Sequence, residues 1–219
     1  MPSRTALIVG ATGLVGRHCL QQLVASGCYR EILSIGRRSV ALEHPKLRQV
    51  VVNFDDLGAP TIAVDDVFCC LGTTMRKAGS RDAFRRVDFE YPLRLARVAL
   101  ERGASRYSLV SSLGANPASR SFYLRVKGEL ERALRDLPFR GLSIFRPSLL
   151  LGPRAERRWG ERLGAIAFRG ARPLLGGPFR KYRPVEAGTV ARAMVAIAEA
   201  GADGCRIVES DEIAALAGQ

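Results

Sequence analysis

Three glycines spaced three residues apart follow a short apolar run near the beginning of the sequence. The run covers residues 6–9, and the glycines are Gly10, Gly13 and Gly16. An amphipathic segment comes next, so the pattern predicts a buried strand, a tight turn and the start of a helix. Gly10 allows the turn, Gly13 leaves room for a phosphate at the backbone, and Gly16 lets the helix pack closely on the strand. A helix N-terminus attracts anions, which predicts a dinucleotide site here. The residues predicted to form it are Gly10, Thr12, Gly13, Leu14, Val15 and Gly16.

Apolar segments typical of buried strands alternate with segments of helical periodicity over the first two thirds of the chain. The predicted strands cover residues 6–9, 31–35, 49–52, 67–71, 107–110 and 142–145. Predicted helices follow Gly13 and cover 81–102, with a kink at Pro92, and 119–137. Strands and helices that alternate in this way form parallel βαβ units. The sequence therefore predicts an α/β fold with a doubly wound, Rossmann-like parallel sheet in the strand order 3-2-1-4-5-6.

The pattern changes after Pro147, where glycine, proline and arginine dominate as far as Pro184. Beyond this stretch, a helix is predicted over 188–200, a short strand over 206–208 and a last helix from Ser210. The tail is too short to form a domain with its own core. We therefore predict a single NAD(P)-binding domain over residues 1–219, in which residues 147–219 form most of a small C-terminal substrate lobe.

The composition, with 47% hydrophobic and 25% charged residues, is typical of an ordinary globular protein. The sequence contains neither a recognisable signal peptide nor an apolar run long enough to span a membrane. Its five cysteines form no C-x-x-C pair, which indicates core residues in a reducing compartment. We therefore predict a cytoplasmic protein that holds no metal.

The net charge of +13 is concentrated in part in one segment of the chain. Only four of the 34 basic residues are lysine, and arginine is scattered along the whole sequence. Between Arg154 and Arg183, however, nine basic residues stand against two acidic ones, which gives +7, about half of the total. Trp159, Leu163 and Ile166 fall at helical spacing within this segment.

This basic segment, residues 154–183, allows several interpretations. It predicts a helical lid beside the active site, whose arginines favour an acidic small-molecule substrate. A surface that docks on anionic lipid or on a protein partner is a second interpretation, and a solvated arginine-rich face is equally compatible. Nucleic acid is not expected, because no nucleic-acid-binding motif accompanies the charge. The oligomeric state is left open.

The end of the second predicted strand determines which dinucleotide is preferred. An acidic residue at this position would accept hydrogen bonds from the ribose hydroxyls of NAD. The sequence places Arg37 and Arg38 there instead, and a guanidinium pairs well with the 2′-phosphate of NADP. We therefore predict that NADP is preferred and that NAD is the alternative. Asp55 or Asp56, after the third strand, is predicted to accept from the adenine amine.

The residues that point to chemistry lie at the end of the fifth predicted strand and on the helix that follows. Tyr123 and Lys127 are four residues apart and share one face of that helix. Ser111 and Ser112 end the strand, and strand ends and helix N-termini meet at the same rim of a parallel sheet. Because side chains alternate along a strand, only one of the two serines faces the substrate. Ser112 is predicted in that role, with Ser111 as the alternative.

This set of motifs resembles the short-chain dehydrogenase/reductase superfamily over nearly the whole chain. The glycine spacing is similar to that of its extended and atypical branches. Residues 110–115 and 145–148 resemble a small atypical group, the HIV Tat-interacting oxidoreductase-like proteins. The resemblance implies that Tyr123 exchanges a proton with the substrate oxygen. It also implies that Lys127 stabilises the phenolate and bonds the nicotinamide ribose, while Ser112 holds the substrate oxygen.

One stretch departs from the pattern of this superfamily. The Asn-Asn-Ala-Gly found after the fourth strand in many members is replaced by Cys-Leu-Gly-Thr-Thr at residues 70–74. Backbone contacts to the cofactor remain available here, but an asparagine for a proton relay is not evident. Further residues predicted to contact the cofactor are Leu71, Gly72, Thr73, Thr74, Ser111, Tyr123, Lys127, Arg146, Pro147 and Ser148.

The sequence thus predicts an NADP-preferring oxidoreductase that transfers a hydride between a nicotinamide cofactor and a carbonyl or alcohol substrate. A protein of a different class is the alternative, namely a non-catalytic NADP(H)-binding regulatory or scaffold protein that engages a partner through its basic lobe. An epimerase or dehydratase that retains its cofactor is a third possibility.

Overall fold

A computed structural model describes residues 4–56, 63–152 and 177–217 of the chain. Its strands are β1 (Arg4–Val9), β2 (Tyr29–Gly36), β3 (Leu47–Val51), β4 (Asp66–Cys69), β5 (Arg106–Val110), β6 (Gly141–Arg146), β7 (Leu150–Leu151), β8 (Val185–Glu186) and β9 (Gly204–Glu209). Its α-helices are α1 (Leu14–Ala25), α2 (Met75–Ala78), α3 (Arg81–Arg85), α4 (Tyr91–Glu101), α5 (Phe122–Arg135), α6 (Ala187–Ala200) and α7 (Ser210–Leu216). Short 3₁₀ turns cover Phe54–Asp56 and Gly177–Tyr182.

Seven of the strands form one sheet in the order β3-β2-β1-β4-β5-β6-β9. Every neighbouring pair is parallel, which confirms the predicted doubly wound, Rossmann-like fold and the order 3-2-1-4-5-6. The sheet also has a seventh strand, because β9 lies beside β6, with Leu142 opposite Cys205. The two short strands β7 and β8 pair separately.

Alternating residues of β1 point into two different apolar layers, one on each face of the sheet. Ala6 and Ile8 pack in a cluster that includes α1 and α6, whereas Leu7 and Val9 pack in a cluster with α4 and α5. All four side chains are fully buried. This explains why the strand is an unbroken apolar run, since both faces of a parallel sheet are covered by helices.

The helical stretch predicted over 81–102 is broken before Pro92. A five-residue π-helical turn, Arg86–Glu90, separates α3 from α4, and Pro92 lies in the first turn of α4. A π turn inserts an extra residue into the helix and rotates the side chains that follow. The helix predicted over 119–137 begins later, at Phe122, because the chain bends at Arg120 and Ser121 just before it.

The predicted C-terminal elements are present, but they lie against the central sheet. Helix α6 packs on α1, and β9 is an edge strand of the main sheet. The single-domain organisation and the extent of the substrate lobe stay predictions, because residues 153–176 fall outside the described ranges. Trp159, Leu163 and Ile166 are among those residues. In the described parts of the chain, no helix is long and apolar enough to cross a membrane.

Candidate active site

The turn after β1 has the backbone geometry that the glycine pattern predicts. Gly10 has φ +79°, and a Cβ on it would lie 2.5 Å from the carbonyl oxygen of Cys70, the residue that follows β4. The N–H of Gly13 donates to the carbonyl of Gly10 at 2.8 Å and closes the turn. At Gly16, a Cβ would lie 2.1 Å from the Gly10 oxygen, so α1 lies against the turn with no space between them.

Helix α1 begins directly behind this turn and has no side-chain cap. Its N-cap residue is Gly13, and the first helical residues are Leu14 and Val15. The N–H groups in the first turn of a helix have no partner within that helix. Together with the positive end of the helix dipole, they form a site for an anion such as a pyrophosphate.

A cleft of about 570 Å³ opens in front of the turn, at the carboxyl ends of β1, β2 and β4. This is the rim at which doubly wound sheets bind ligands. Eight residues that the sequence assigned to cofactor binding line it, namely Gly10, Thr12, Gly13, Arg37, Arg38, Leu71, Gly72 and Thr73. Leu14, Val15 and Gly16 lie behind the turn and support it, and the Thr74 hydroxyl caps α2 by accepting from the N–H of Lys77.

The adenosine end of the cleft has two exposed arginines on its rim. Arg37 and Arg38 follow β2 directly, and neither forms an ion pair with any residue in the described ranges. Both guanidinium groups are therefore available to an anionic ligand. A role for these arginines at the 2′-phosphate stays a prediction.

The two aspartates after β3, which are predicted to accept from the adenine amine, have hydrogen bonds within the protein. The Asp55 carboxylate accepts a hydrogen bond from the Tyr91 hydroxyl at 2.7 Å, and Asp56 accepts from the side chain of Asn53. Neither aspartate lines the cleft; Phe54 and Tyr91 do, and their rings stack at 5.3 Å. A contact from Asp55 or Asp56 to the adenine stays a prediction.

Tyr123 and Lys127 lie on successive turns of α5, near the inner end of the cleft. The Lys127 side chain is 5% exposed, and its Nζ lies 2.7 Å from Oδ1 of Asp88. The ring of Tyr123 packs against Phe84 of α3, with centroids 5.5 Å apart. A Cβ built on Gly72 would lie 3.7 Å from the Lys127 ammonium, so this ammonium is next to the cofactor cleft.

The charge on Lys127 is maintained by its surroundings. Burial lowers the pKa of this lysine, but the nearby carboxylate of Asp88 and the Tyr123 hydroxyl raise it, and the net result is a pKa above the ordinary lysine value. Lys127 therefore stays an ammonium at neutral pH. This is the state in which it can stabilise a phenolate and donate hydrogen bonds to a ribose.

The two serines at the end of β5 have different surroundings. Ser111 is buried, and its hydroxyl donates to Oε1 of Glu131 on α5 at 2.5 Å. Ser112 is half-buried, and among the residues that the structure describes its hydroxyl contacts only the carbonyl of Leu113, at a long 3.5 Å. The structure therefore leaves Ser112 available for a substrate oxygen and uses Ser111 to join β5 to α5.

Arg146, Pro147 and Ser148 are engaged within the protein. The Arg146 guanidinium forms a bidentate ion pair with the Glu131 carboxylate. The Pro147 carbonyl accepts from the N–H of Leu113. The Ser148 hydroxyl donates to the carbonyl of Arg183, so that the end of β6 is fixed to the chain before β8. Cofactor contacts from these three residues stay predictions.

Two buried carboxylates of this region, Asp88 and Glu131, were not singled out from the sequence. Each is a charged residue on a helix face that is otherwise buried. Asp88 is four residues after the buried Phe84, and Glu131 is four residues after Lys127. A carboxylate at the spacing of an apolar stripe is the signal that could have identified both.

The fold and the glycine turn agree with the comparison to known protein families. Residues 6–205 match the model of the NAD dependent epimerase/dehydratase family. The chain belongs to this family, so it is an NAD(P)-dependent, oxidoreductase-type protein with a Rossmann fold.

Individual relatives show which branch of the superfamily the chain is similar to. The rat protein HTATIP2 is 41% identical over 174 residues, which are 77% of this chain and 72% of the rat protein. This confirms the resemblance to an atypical branch of the short-chain dehydrogenase/reductase superfamily. Among solved structures, MoeE5 in complex with UDP-glucose and NAD superimposes with a TM-score of 0.69 at 16% identity, covering 98% of this chain and 81% of MoeE5. At that identity the likeness shows the fold alone.

The predicted cytoplasmic location is wrong by this comparison. The mitochondrial protein FMP52 of Candida glabrata is 37% identical over 163 residues, which are 73% of this chain and 70% of that protein. Further relatives of this chain are also FMP52 proteins of mitochondria. The prediction failed because free cysteines indicate a reducing environment and do not distinguish one reducing compartment from another.

Metal ligands were not expected from the sequence. Among the described residues, no group of three or more histidine, cysteine, aspartate or glutamate side chains is placed to hold a metal ion. The polar groups that line the cleft include backbone N–H groups, hydroxyls and the side chains of Arg37 and Arg38, and the Lys127 ammonium lies next to it beside Gly72.

Proposed function

We propose that this protein is an oxidoreductase that prefers NADP and transfers a hydride between the nicotinamide and a carbonyl or alcohol group of a small molecule. The observation that carries the proposal is the position of Tyr123 and Lys127. They lie on one face of α5, and the Lys127 ammonium is held next to Gly72 at the inner end of the cleft.

The residues of the cleft fit a dinucleotide. The glycine turn and the N-terminus of α1 would hold the pyrophosphate, and the loop from Leu71 to Thr73 would contact the nicotinamide half. A bound nicotinamide supplies the hydride acceptor or donor. The shape of the turn supports this fit, since a Cβ on Gly10 or Gly16 would occupy the space between backbone segments.

The side chains of α5 and β5 would handle the proton and the developing charge. The Tyr123 hydroxyl gives a proton to the carbonyl oxygen, or takes one from the alcohol, and the adjacent ammonium of Lys127 favours the phenolate state. The free hydroxyl of Ser112 donates a hydrogen bond to the same oxygen and stabilises its charge.

Replacement of the tyrosine hydroxyl tests this assignment. We expect Tyr123→Phe to reduce turnover of NADPH with a panel of aldehydes and ketones by at least about 100-fold, because proton transfer contributes at least this much. The ring contact with Phe84 remains, so the dissociation constant for NADPH should stay unchanged. Absorbance of the reduced cofactor and its fluorescence on binding give the two quantities. Equal turnover in both proteins, or binding without turnover of any carbonyl, would contradict the proposal and favour a regulatory NADP(H)-binding protein.

The arginines on the cleft rim support the preference for NADP. Each is exposed and lines the cleft, and a charge-assisted hydrogen bond contributes about 1.5–3 kcal/mol. We expect the double substitution Arg37→Ala and Arg38→Ala to weaken NADPH binding by about tenfold or more while NADH binding is unchanged. Calorimetric titration with both nucleotides measures this. Arg30 is the control, because it is an exposed arginine of β2 that does not line the cleft. Arg30→Ala should leave the binding of both nucleotides unchanged. Equal losses of affinity for NADPH and NADH would show that these arginines do not bind the 2′-phosphate.

A further inference from the structure

Asp88 is a buried carboxylate that has no role in the hydride transfer proposed above. It lies in the middle of the π-helical turn and has no exposed surface. Its Oδ1 lies 2.7 Å from the Lys127 ammonium, and its Oδ2 accepts a hydrogen bond from the backbone N–H of Thr73 at 2.8 Å. One carboxylate therefore joins the lysine of α5 to the loop that forms the floor of the cofactor cleft.

We propose that Asp88 is a positioning residue, which fixes the Lys127 ammonium beside Tyr123 and couples it to the cofactor-binding loop at Thr73. Its importance for catalysis rests on the proposed hydride transfer. The coupling itself is a property of the protein and can be measured without a substrate.

The ion pair lies directly beside the space for the cofactor. A Cβ on Gly72 would be 3.5 Å from Oδ1 of Asp88 and 3.7 Å from Nζ of Lys127, which are ordinary contact distances. A lysine ammonium has three N–H donors. Since one of them is used by Asp88, two remain for the neighbouring tyrosine oxygen and for a ribose hydroxyl.

The same chain segment fixes both members of the Tyr-x-x-x-Lys pair. Phe84 and Asp88 are four residues apart, and they contact Tyr123 and Lys127 respectively, which are also four residues apart. The π turn at Arg86–Glu90 lies at the second of these contacts. Turns of this kind are frequent at functional sites because they redirect a side chain within an otherwise regular helix.

The charge of Lys127 depends on few neighbours. Tyr123 on its own helix, Asp88 from the π turn and Cys69 at the end of β4 are the titratable groups that act on it. Burial raises the pKa of the Cys69 thiol to about 11, so this thiol is neutral at pH 7. The Asp88 side chain, 2.7 Å away, is thus the group that offsets the burial of the ammonium. Without it, burial would favour the neutral amine.

The experiment measures this coupling directly in the full-length protein without cofactor. The chain has four lysines, so a spectrum of protein labelled with ¹³Cε-lysine contains four side-chain signals. Substitution of each of the other three by arginine assigns the signal of Lys127. We expect the wild-type Lys127 signal to titrate above the ordinary value of 10.5, and the Asp88→Asn signal to titrate below it. Asp82→Asn, which removes an exposed carboxylate from α3, should leave the titration unchanged.

The outcomes separate this inference from the proposed function. A Lys127 midpoint in Asp88→Asn that equals or exceeds the wild-type midpoint would overturn the inference. If Asp88→Asn does not fold, the wild-type titration still decides, because a midpoint below 10.5 would show that the Asp88 carboxylate does not offset the burial of the ammonium, which would overturn the inference. A downward shift in a protein that turns over no carbonyl would leave the coupling intact and refute only the oxidoreductase assignment.

Discussion

Gly16 shows how one missing side chain determines the geometry of the cofactor site. A Cβ at this position would lie 2.1 Å from the Gly10 oxygen and 3.0 Å from Cα of Ala11, and both are backbone atoms that cannot rotate away. Helix α1 would have to move off the turn to accept it. Since the N–H groups of that helix are the anion-binding groups, such a shift would affect stability and cofactor binding together.

Substitution of this glycine therefore has two measurable consequences. We expect Gly16→Ala to lower the free energy of unfolding in urea by about 1–3 kcal/mol, the usual cost of overpacking. It should also weaken NADPH binding at least tenfold. Gly27 follows the same helix and has open space around its Cβ position, so Gly27→Ala should raise stability by about 0.4–1 kcal/mol and leave binding unchanged. Equal effects of the two substitutions would show that the close approach at Gly16 is not responsible.

At the scale of whole elements, Glu131 connects β5, α5 and β6. It is buried, it accepts from the Ser111 hydroxyl, and it forms a two-pronged ion pair with Arg146. In turn, this pair raises the pKa of Arg146, chiefly by hydrogen bonding to the Glu131 carboxylate. The rigidity of α5 against the sheet thus depends on a buried charge whose partners come from two strands.

The loss of this carboxylate should be far more costly than the loss of its exposed neighbour. We expect Glu131→Ala to lower the free energy of unfolding by about 3 kcal/mol, the lower end of the cost of breaking a buried pair, because the half-buried Arg146 guanidinium and the buried Ser111 hydroxyl lose their partner. Glu129 lies two residues earlier and pairs with Arg85, and both of these side chains are partly exposed. Glu129→Ala should therefore cost at most about 1 kcal/mol. Chemical denaturation of both variants measures the difference, and similar losses would mean that the Glu131 network adds no stability.

The elements were predictable to the extent that local pattern determines them. The apolar run of β1, its glycine turn and the strand order follow from periodicity and turn chemistry. The place of β9 did not, because its predicted core, residues 206–208, is too short to show which neighbour it pairs with. Asp88 was missed for a related reason. Its role depends on a contact with Lys127, 39 positions along the chain, that no local spacing encodes.

At the scale of the whole molecule, the excess of positive charge acts on folding and on ligand binding in opposite directions. The chain has 34 basic and 21 acidic residues, so even complete pairing would leave an excess of 13 positive charges. A high net charge destabilises a compact state through self-repulsion. The same field attracts an anionic cofactor toward the exposed Arg37 and Arg38.

Salt should therefore change stability and affinity with opposite signs. Between about 0.01 M and 0.15 M sodium chloride the screening length falls from about 30 Å to about 8 Å. We expect the melting temperature of the cofactor-free protein to rise over this range, because repulsion among the unpaired cations is screened. NADPH affinity should fall severalfold over the same range, and more steeply than NADH affinity, since the 2′-phosphate adds charge opposite the two arginines. The protein with both arginines replaced by alanine should lose that difference in steepness. A melting temperature that falls with salt would show that surface ion pairs outweigh the excess charge, and equal salt dependence for both nucleotides would remove the electrostatic basis for the NADP preference.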